Sequence, residues 1–545
     1  MHEPQRYTLV AHATVSAWVS TRRWIGGAAR VGLIAAMALS CVGAALAQVI
    51  IENDFEDGTT QNWIPRATGV VLTNTTEAAH TGLHSLEVTG RTQTWMGPSL
   101  NVLGKMTQGL RYRISVWAKL VPGEAATNLR VSVQRTRGGT DSYDNVTPNI
   151  RVTDGQWVLL SALYTLATDV DALSVYVETE TSATASFYID DFSLVFSPAP
   201  PIQQDIPSLK DVLAPAFLFG GAIGPYQVRD ALHADLMRKH LNSLTAGNAM
   251  KWEEIHPSET AYNFTDADTI ADFARVNGMT MRGHTLAWHQ QNPAWLFQDA
   301  AGVDLPPTPE SKAIVLQRLE DHIRAVVTRY NDIVSAWDVV NEVIDPRQPD
   351  GLLHDSKWWQ LTGSEFIDRA FLVARAVARP EAKLYINETW TTDPARRQAL
   401  RNVVQDLLAR GIPVDGVGHQ MHVNIEIPAV AAIRDAIQTF AALGLDNQIT
   451  EMDISVYTTD TDRYTTVPPA ILIQQAYRYR DIFEEYRRQK ASISSITLWG
   501  IADDDTWLRG FPIPRLDLPL LFDEDLQAKL AYWGVVDPAR LPVLN

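Results

Sequence analysis

Cysteine is all but missing: Cys41 is the single one in 545 residues. It lies in an apolar run, residues 31–46, that follows Arg22, Arg23 and Arg30 and ends in Ala45-Leu46-Ala47 before Gln48. That layout reads as an export signal over residues 1–47 with cleavage after Ala47. The mature chain then has no thiol, which excludes disulfide staples, cysteine nucleophiles and cysteine-bound metal. A membrane-length apolar run is also lacking, because residues 31–46 are too few and polar sequence follows at once. The expected location is therefore extracellular or periplasmic, with no membrane attachment after cleavage. Arg22-Arg23 leaves twin-arginine export open, the long stretch before the apolar run leaves a start downstream of Met1 open, and a lipid anchor on Cys41 fits poorly behind Leu39-Ser40. An excess of positive charge is lacking too: Lys and Arg total 46 against 63 Asp and Glu, a formal charge of −17. Nucleic acid and anionic membrane surfaces select for basic faces, so neither is expected as a partner.

What is plentiful is tryptophan, at 16 residues. Large cores use it, and so do platforms that stack on an uncharged ring such as a sugar. The length calls for more than one domain. From 49 to 196 apolar residues alternate, as in Tyr112, Ile114, Val116, Ala118 and Leu120, then Leu129, Val131 and Val133, then Leu173, Val175 and Val177. Period-two alternation between Gly-, Asn- and Thr-rich turns predicts an antiparallel β-sandwich. Ser197-Pro198-Ala199-Pro200-Pro201 opens a proline-rich linker over 197–204.

Beyond it, over 205–541, strand-like runs alternate with amphipathic helices. One helix carries Leu316, Leu319, Ile323, Val326, Val327 and Tyr330 as a stripe. Strands are expected at 217–223, 243–246, 279–284, 334–341, 383–387, 416–423, 448–454 and 495–501. Eight such units predict a (β/α)8 barrel, an α/β fold whose sites lie at the C-terminal ends of the strands. Polar and aromatic residues gather there: Asn248 and Lys251, His284 and Trp288, Asn341 and Glu342, Asn387 and Glu388, Gln420 and His422, Glu451 and Asp453, Trp499 and Asp503. Glu342 and Glu451 close the fourth and seventh strands, so they face each other across the barrel mouth. Glycoside hydrolysis needs two such carboxyls, one protonated toward the leaving oxygen and one ionised toward the anomeric carbon. A separation of roughly 5–5.5 Å between them goes with retention of configuration.

Trp337-Asp338-Val339-Val340-Asn341-Glu342, Thr450-Glu451-Met452-Asp453, Arg282-Gly283-His284-Thr285-Leu286-Ala287-Trp288-His289 and Asn248-Ala249-Met250-Lys251-Trp252 stand in this order with Trp499-Gly500 and Trp507. Together they resemble glycoside hydrolase family 10, the endo-β-1,4-xylanases, from about residue 205 to 540. The resemblance implies Glu342 as acid/base and Glu451 as nucleophile, supported by Asn341, His422 and Asp453. It implies Asn248, Lys251, His284, Trp288, Gln291, Gln420, Trp499 and Trp507 as sugar contacts, and no cofactor for catalysis. Two positions depart from the family: Gly247 stands where a Glu is usual, and Ile386-Asn387-Glu388-Thr389-Trp390 replaces a tyrosine-bearing segment. The expected activity is hydrolysis of internal β-1,4-xylosidic bonds by double displacement. Its alternatives are the same cut on another β-glycan, or glycan binding without turnover.

Phe55-Glu56-Asp57-Gly58, Trp63, His84-Ser85-Leu86 and Tyr188-Ile189-Asp190-Asp191 resemble family-22 carbohydrate-binding modules. Alternation puts Tyr176 and Glu178 on one outer face, an exposed ring beside a carboxylate. The resemblance adds Arg66, Trp95 and Tyr143 to that groove. It also implies a structural calcium, for which Asp191 is a candidate ligand. A monomer acting on xylan-type plant cell-wall polysaccharide is expected.

Overall fold

The computed structural model describes residues 47–198, 200–464 and 466–543. The export-signal reading, with Arg22, Arg23, Arg30 and Cys41, falls outside the described residues except for its last position.

The N-terminal part forms two antiparallel sheets. One orders Val158–Thr165, Arg111–Leu120, Phe187–Phe196, Ser85–Thr89 and Val71–Thr75, with Gln48–Asn53 also on Phe187–Phe196. The other orders Trp63–Pro65, Pro98–Asn101, Ala172–Thr179, Thr127–Arg137 and Thr140–Asn145, with Ile150–Val152 also on Thr127–Arg137. Their inner faces bury Ile114, Val116 and Ala118 with Leu129, Val131, Val133, Val175 and Val177. The alternating residues are thus the ones taken out of water, and their burial is the main force holding the sandwich together.

The second part is a closed barrel of eight parallel strands: β1 Leu218–Ile223, β2 Ser243–Ala246, β3 Thr280–His284, β4 Val334–Asn341, β5 Lys383–Glu388, β6 Gly416–His419, β7 Asp446–Ser455 and β8 Ile493–Leu498. Each pairs with the next, and β8 closes on β1 through Leu218 opposite Ser495. The intervening helices cover the strands. Helix Pro309–Arg329 starts where Thr308 accepts the Ser311 N–H, with proline in its first turn, and its stripe from Leu316 to Val327 is buried. Between β3 and β4, Gly283 is opposite Trp337, and a Cβ on Gly283 would come within 2.1 Å of the indole. Only glycine lets that indole lie flat across the neighbouring strand. Ile202, read above as linker, is buried with Ile206 and Leu209 in the barrel's core.

The sixth strand differs from its expected course. Residues 416–423 are not continuous: β6 stops at His419, Met421 turns at φ +61°, and His422–Asn424 pairs separately with β7. The turn aims Gln420 and His422 at different carboxylates, which a straight strand with its period of two does not allow.

Candidate active site

The two carboxyls lie at the C-terminal mouth, each gripped by donors. Glu342 follows the last residue of β4 in the left-handed region, φ +55°, and its N–H donates to the Asn387 carbonyl at 3.0 Å. Its Oε2 accepts from Trp288 Nε1 at 2.9 Å and its Oε1 from Gln420 Nε2 at 2.8 Å. Glu451 sits within β7. Its Oε1 accepts from Asn387 Nδ2 at 2.8 Å and its Oε2 faces His422 Nε2 at 3.1 Å. One polar chain joins them, because Asn387 Nδ2 also donates to Asn341 Oδ1 at 2.8 Å, and Gln420 Nε2 lies 3.4 Å from that same oxygen. With its oxygen so used, the Asn341 amide keeps its N–H groups for a sugar hydroxyl.

Charge is divided by His422. Its Nδ1 meets Asp453 Oδ2 at 2.9 Å while Nε2 meets Glu451, so both ring nitrogens face carboxylates and only the imidazolium donates at each. Burial pulls His422 down, but the Asp453 charge and the hydrogen bonds to Asp453 and Glu451 outweigh it and push it up to about 10. Burial likewise pushes Glu451 up, yet the His422 hydrogen bond and the charges of His284 and His422 leave it below its ordinary value. Glu451 is therefore an anion aimed into the cleft, as a nucleophile must be. Asp453 Oδ2 also accepts from Trp507 Nε1 at 2.8 Å, which places that ring against His422.

Around the pair, Lys251 Nζ lies 4.9 Å from the Trp288 ring and 6.0 Å from Trp499, and donates to Asn248 Oδ1 at 2.9 Å. Burial lowers Lys251, against the pull of Glu451 and Glu342. His284 packs edge-on to Trp499 and binds Asp338 at 2.9 Å. The structure so brings Asn248, Lys251, His284, Trp288, Gln420, Trp499 and Trp507 to one mouth with the two acids. Gln291 has a left-handed backbone, φ +47°, and its carbonyl accepts the Glu253 N–H at 3.0 Å. At Gly247 an added Cβ would meet nothing nearer than the Ile223 carbonyl at 3.7 Å, so the backbone there has room for a side chain it does not carry. Trp390 stands 62% exposed past the end of β5.

Four residues of the mouth had no role assigned from the sequence. Asn387 links both acids, and its place at a strand end was the available signal. Arg282 and Asp338 form a buried pair beneath His284. Glu388 is wholly buried; burial pushes it up to about 8, Arg396 pulling down and the Glu342 charge adding to the rise. All its hydrogen-bond partners are donors, the Arg396 guanidinium at 3.1 Å among them, so the geometry selects the carboxylate against the upward push of burial.

In the sandwich, Tyr176 and Glu178 share a face as expected but are not exposed, at 2% and 4%. The Arg66 guanidinium lies 3.5 Å over the Tyr176 ring, and Arg130 and Ser132 hold Glu178 Oε1 at 2.9 and 2.6 Å. The exposed rings are Trp95 and Tyr143, which flank Arg66 at 5.5 and 5.6 Å. Among the described residues no cluster of three His, Cys, Asp or Glu is arranged as metal ligands. Asp191 does not fit a calcium: its oxygens already meet His80 Nδ1 at 2.5 Å and Thr81 Oγ1 at 2.8 Å, and Asp190 beside it takes backbone N–H groups.

Comparison with known proteins adds the following. The profile described as glycosyl hydrolase family 10 matches residues 208–538, and one described as a carbohydrate binding domain matches 47–184. The chain is 38% identical over 505 residues to an endo-1,4-beta-xylanase A of Thermoanaerobacterium saccharolyticum, covering 90% of this chain and 42% of that protein. It is 37% identical to the exoglucanase XynX of Acetivibrio thermocellus, covering 91% of this chain and 45% of that one. Thus it spans less than half the length of these two relatives. The crystal structure of xylanase B from Clostridium stercorarium F9 superposes with a TM-score of 0.59 at 44% identity, over 61% of this chain and all of that one.

Proposed function

Since the chain belongs to glycosyl hydrolase family 10, we propose that it is a retaining endo-β-1,4-xylanase in which Glu451 attacks the anomeric carbon and Glu342 protonates the departing glycosidic oxygen. Electrons flow from the Glu451 oxygen to C1 as the C1–O bond breaks, giving a covalent glycosyl–enzyme and a free sugar hydroxyl. Glu342, now ionised, takes a proton from water, whose oxygen displaces Glu451 from C1. The second inversion restores the starting configuration. The observation that carries this reading is the asymmetry of the two acids: Glu451 is held as an anion by His422 and Asn387, whereas Glu342 accepts hydrogen bonds from the neutral donors Trp288 and Gln420, with His289, lowered by burial, 4.0 Å from its Oε2. Asn341, with its free amide, is placed to donate to the 2-hydroxyl of the reacting sugar, a contact that strengthens as charge develops at C1.

Glu451→Gln keeps the shape and removes the nucleophile. Hydrolysis of an aryl β-xylobioside is expected to fall by ~10⁴-fold or more with the melting temperature little changed. Retained turnover would overturn the assignment. The lack of a side chain at Gly247 favours a second reading, in which the same chemistry acts on another β-glycan. Reducing-sugar release on xylan, mixed-linkage glucan and carboxymethylcellulose separates the two. Release from none of them leaves a binding protein.

A further inference from the structure

The side chains of Glu388 and Arg396 make no hydrogen bond to the side chains assigned to the sugar, yet together they hold the backbone that leaves Glu342. Glu388 Oε2 accepts the Ile344 N–H at 3.0 Å, and its Oε1 accepts the Thr389 N–H at 3.0 Å and Arg396 Nη1 at 3.1 Å. Arg396 Nη1 also donates to the Ile344 carbonyl at 2.8 Å. One ion pair thus binds both polar groups of the residue two beyond Glu342. On the near side, the Glu342 N–H is bound to Asn387 of the same strand, β5. Between these grips Glu342 keeps its left-handed backbone, which a non-glycine residue holds only where its surroundings impose it. Glu388 is fully buried and the Arg396 side chain 24% exposed, so the arginine forms the outer, replaceable half of the clamp.

We propose that the Glu388–Arg396 pair is the positioning element of the acid/base, fixing Ile344 and through it the direction in which the Glu342 carboxyl faces the glycosidic oxygen. The proposal rests on the reading of Glu342 as acid/base. Its signature is chemical: a poor leaving group requires a proton in the transition state, whereas a very good one departs without it. A displaced acid therefore penalises the first and spares the second.

The test measures kcat/KM for phenyl and 2,4-dinitrophenyl β-xylobiosides with the full chain and with Arg396→Met, Arg396→Lys, Glu388→Gln and Glu342→Ala. Arg396→Met is expected to lose about 10- to 100-fold on the phenyl substrate, mostly in kcat, and under about 3-fold on the dinitrophenyl one. Arg396→Lys, which restores the charge, should recover part of the loss, and Glu388→Gln should share the selectivity. Equal losses on both substrates, or none, in the Arg396 variants would overturn the proposal and leave the pair a structural one. If Glu342→Ala itself shows no leaving-group selectivity, the parent assignment fails instead.

Discussion

At the scale of single residues, His422 decides how charge is shared. Its ordinary value near 6.5 is raised to about 10 in the folded protein. A raised value means that the stabilisation is complete below about pH 6.5 and is lost as pH climbs through about 10. Glu451 is shifted the other way, so its contribution is present above its ordinary value of 4.5 and is lost on acidification. His422→Ala would leave Glu451 and Asp453 as close, buried like charges, an arrangement that costs about 3–5 kcal/mol when a buried pair loses one partner. Thermal unfolding followed from pH 5 to 10 is expected to show a lower midpoint at neutrality and a weaker fall toward alkaline pH than in the unsubstituted chain. Turnover at neutral pH should drop by about 10²-fold or more, because one of the two acids then takes up a proton. An unchanged alkaline slope would mean that His422 is not the cation.

The same scale shows what a sequence can and cannot disclose. The places of Glu342, Glu451, His422 and Asp453 at the barrel mouth were legible because each stands at or near the expected C-terminal end of a buried-type strand. Arg396 was not. It sits in Pro394-Ala395-Arg396-Arg397 at the start of a helix, where arginines ordinarily face water, and only the fold shows which one turns toward Ile344. Tyr176 was placed on the correct face, but alternation reports a side chain's direction and not what lies over it. Arg66, 110 positions earlier, covers the ring.

At the scale of elements, the eight strands were legible because the barrel demands eight separate apolar runs, and their limits moved by a few residues. The break at Gln420-Met421 was not, since residues 416–423 hold no proline, and no glycine at the turn itself, to mark where the strand ends. The β3–β4 contact gives the sharpest check of register. Gly283→Ala places a methyl within 2.1 Å of Trp337, both groups being held by their strands. The expected cost is about 1–3 kcal/mol or more, with loss of activity because His284 and Asp338 come next in the two strands. Chemical denaturation of the variant measures it; an unaltered midpoint would mean that the indole does not lie across Gly283.

For the whole molecule, the proposed function has the sandwich and the barrel divide the work by substrate form. An insoluble polymer is reached more often by a chain tethered to it, while a small soluble glycoside gains nothing from a tether. Replacing Arg66 and Trp95 together by alanine in the full chain is expected to lower release from insoluble xylan by roughly 3- to 10-fold and to leave aryl xylobioside kinetics within about 2-fold. Equal effects on both substrates would show that the groove does not act in targeting.

The closed cylinder has one more implication. Glu342, Trp288, Lys251 and His284 arise from the first four strands and their loops. Glu451, His422, Asp453, Asn387 and Gln420 arise from the last four. Severed between β4 and β5, each portion would carry a single reacting acid, Glu342 parted from Gln420 and Glu451 from the proton donor opposite it, so chemistry would return only on reunion of the halves, and turnover would count reassembled rings.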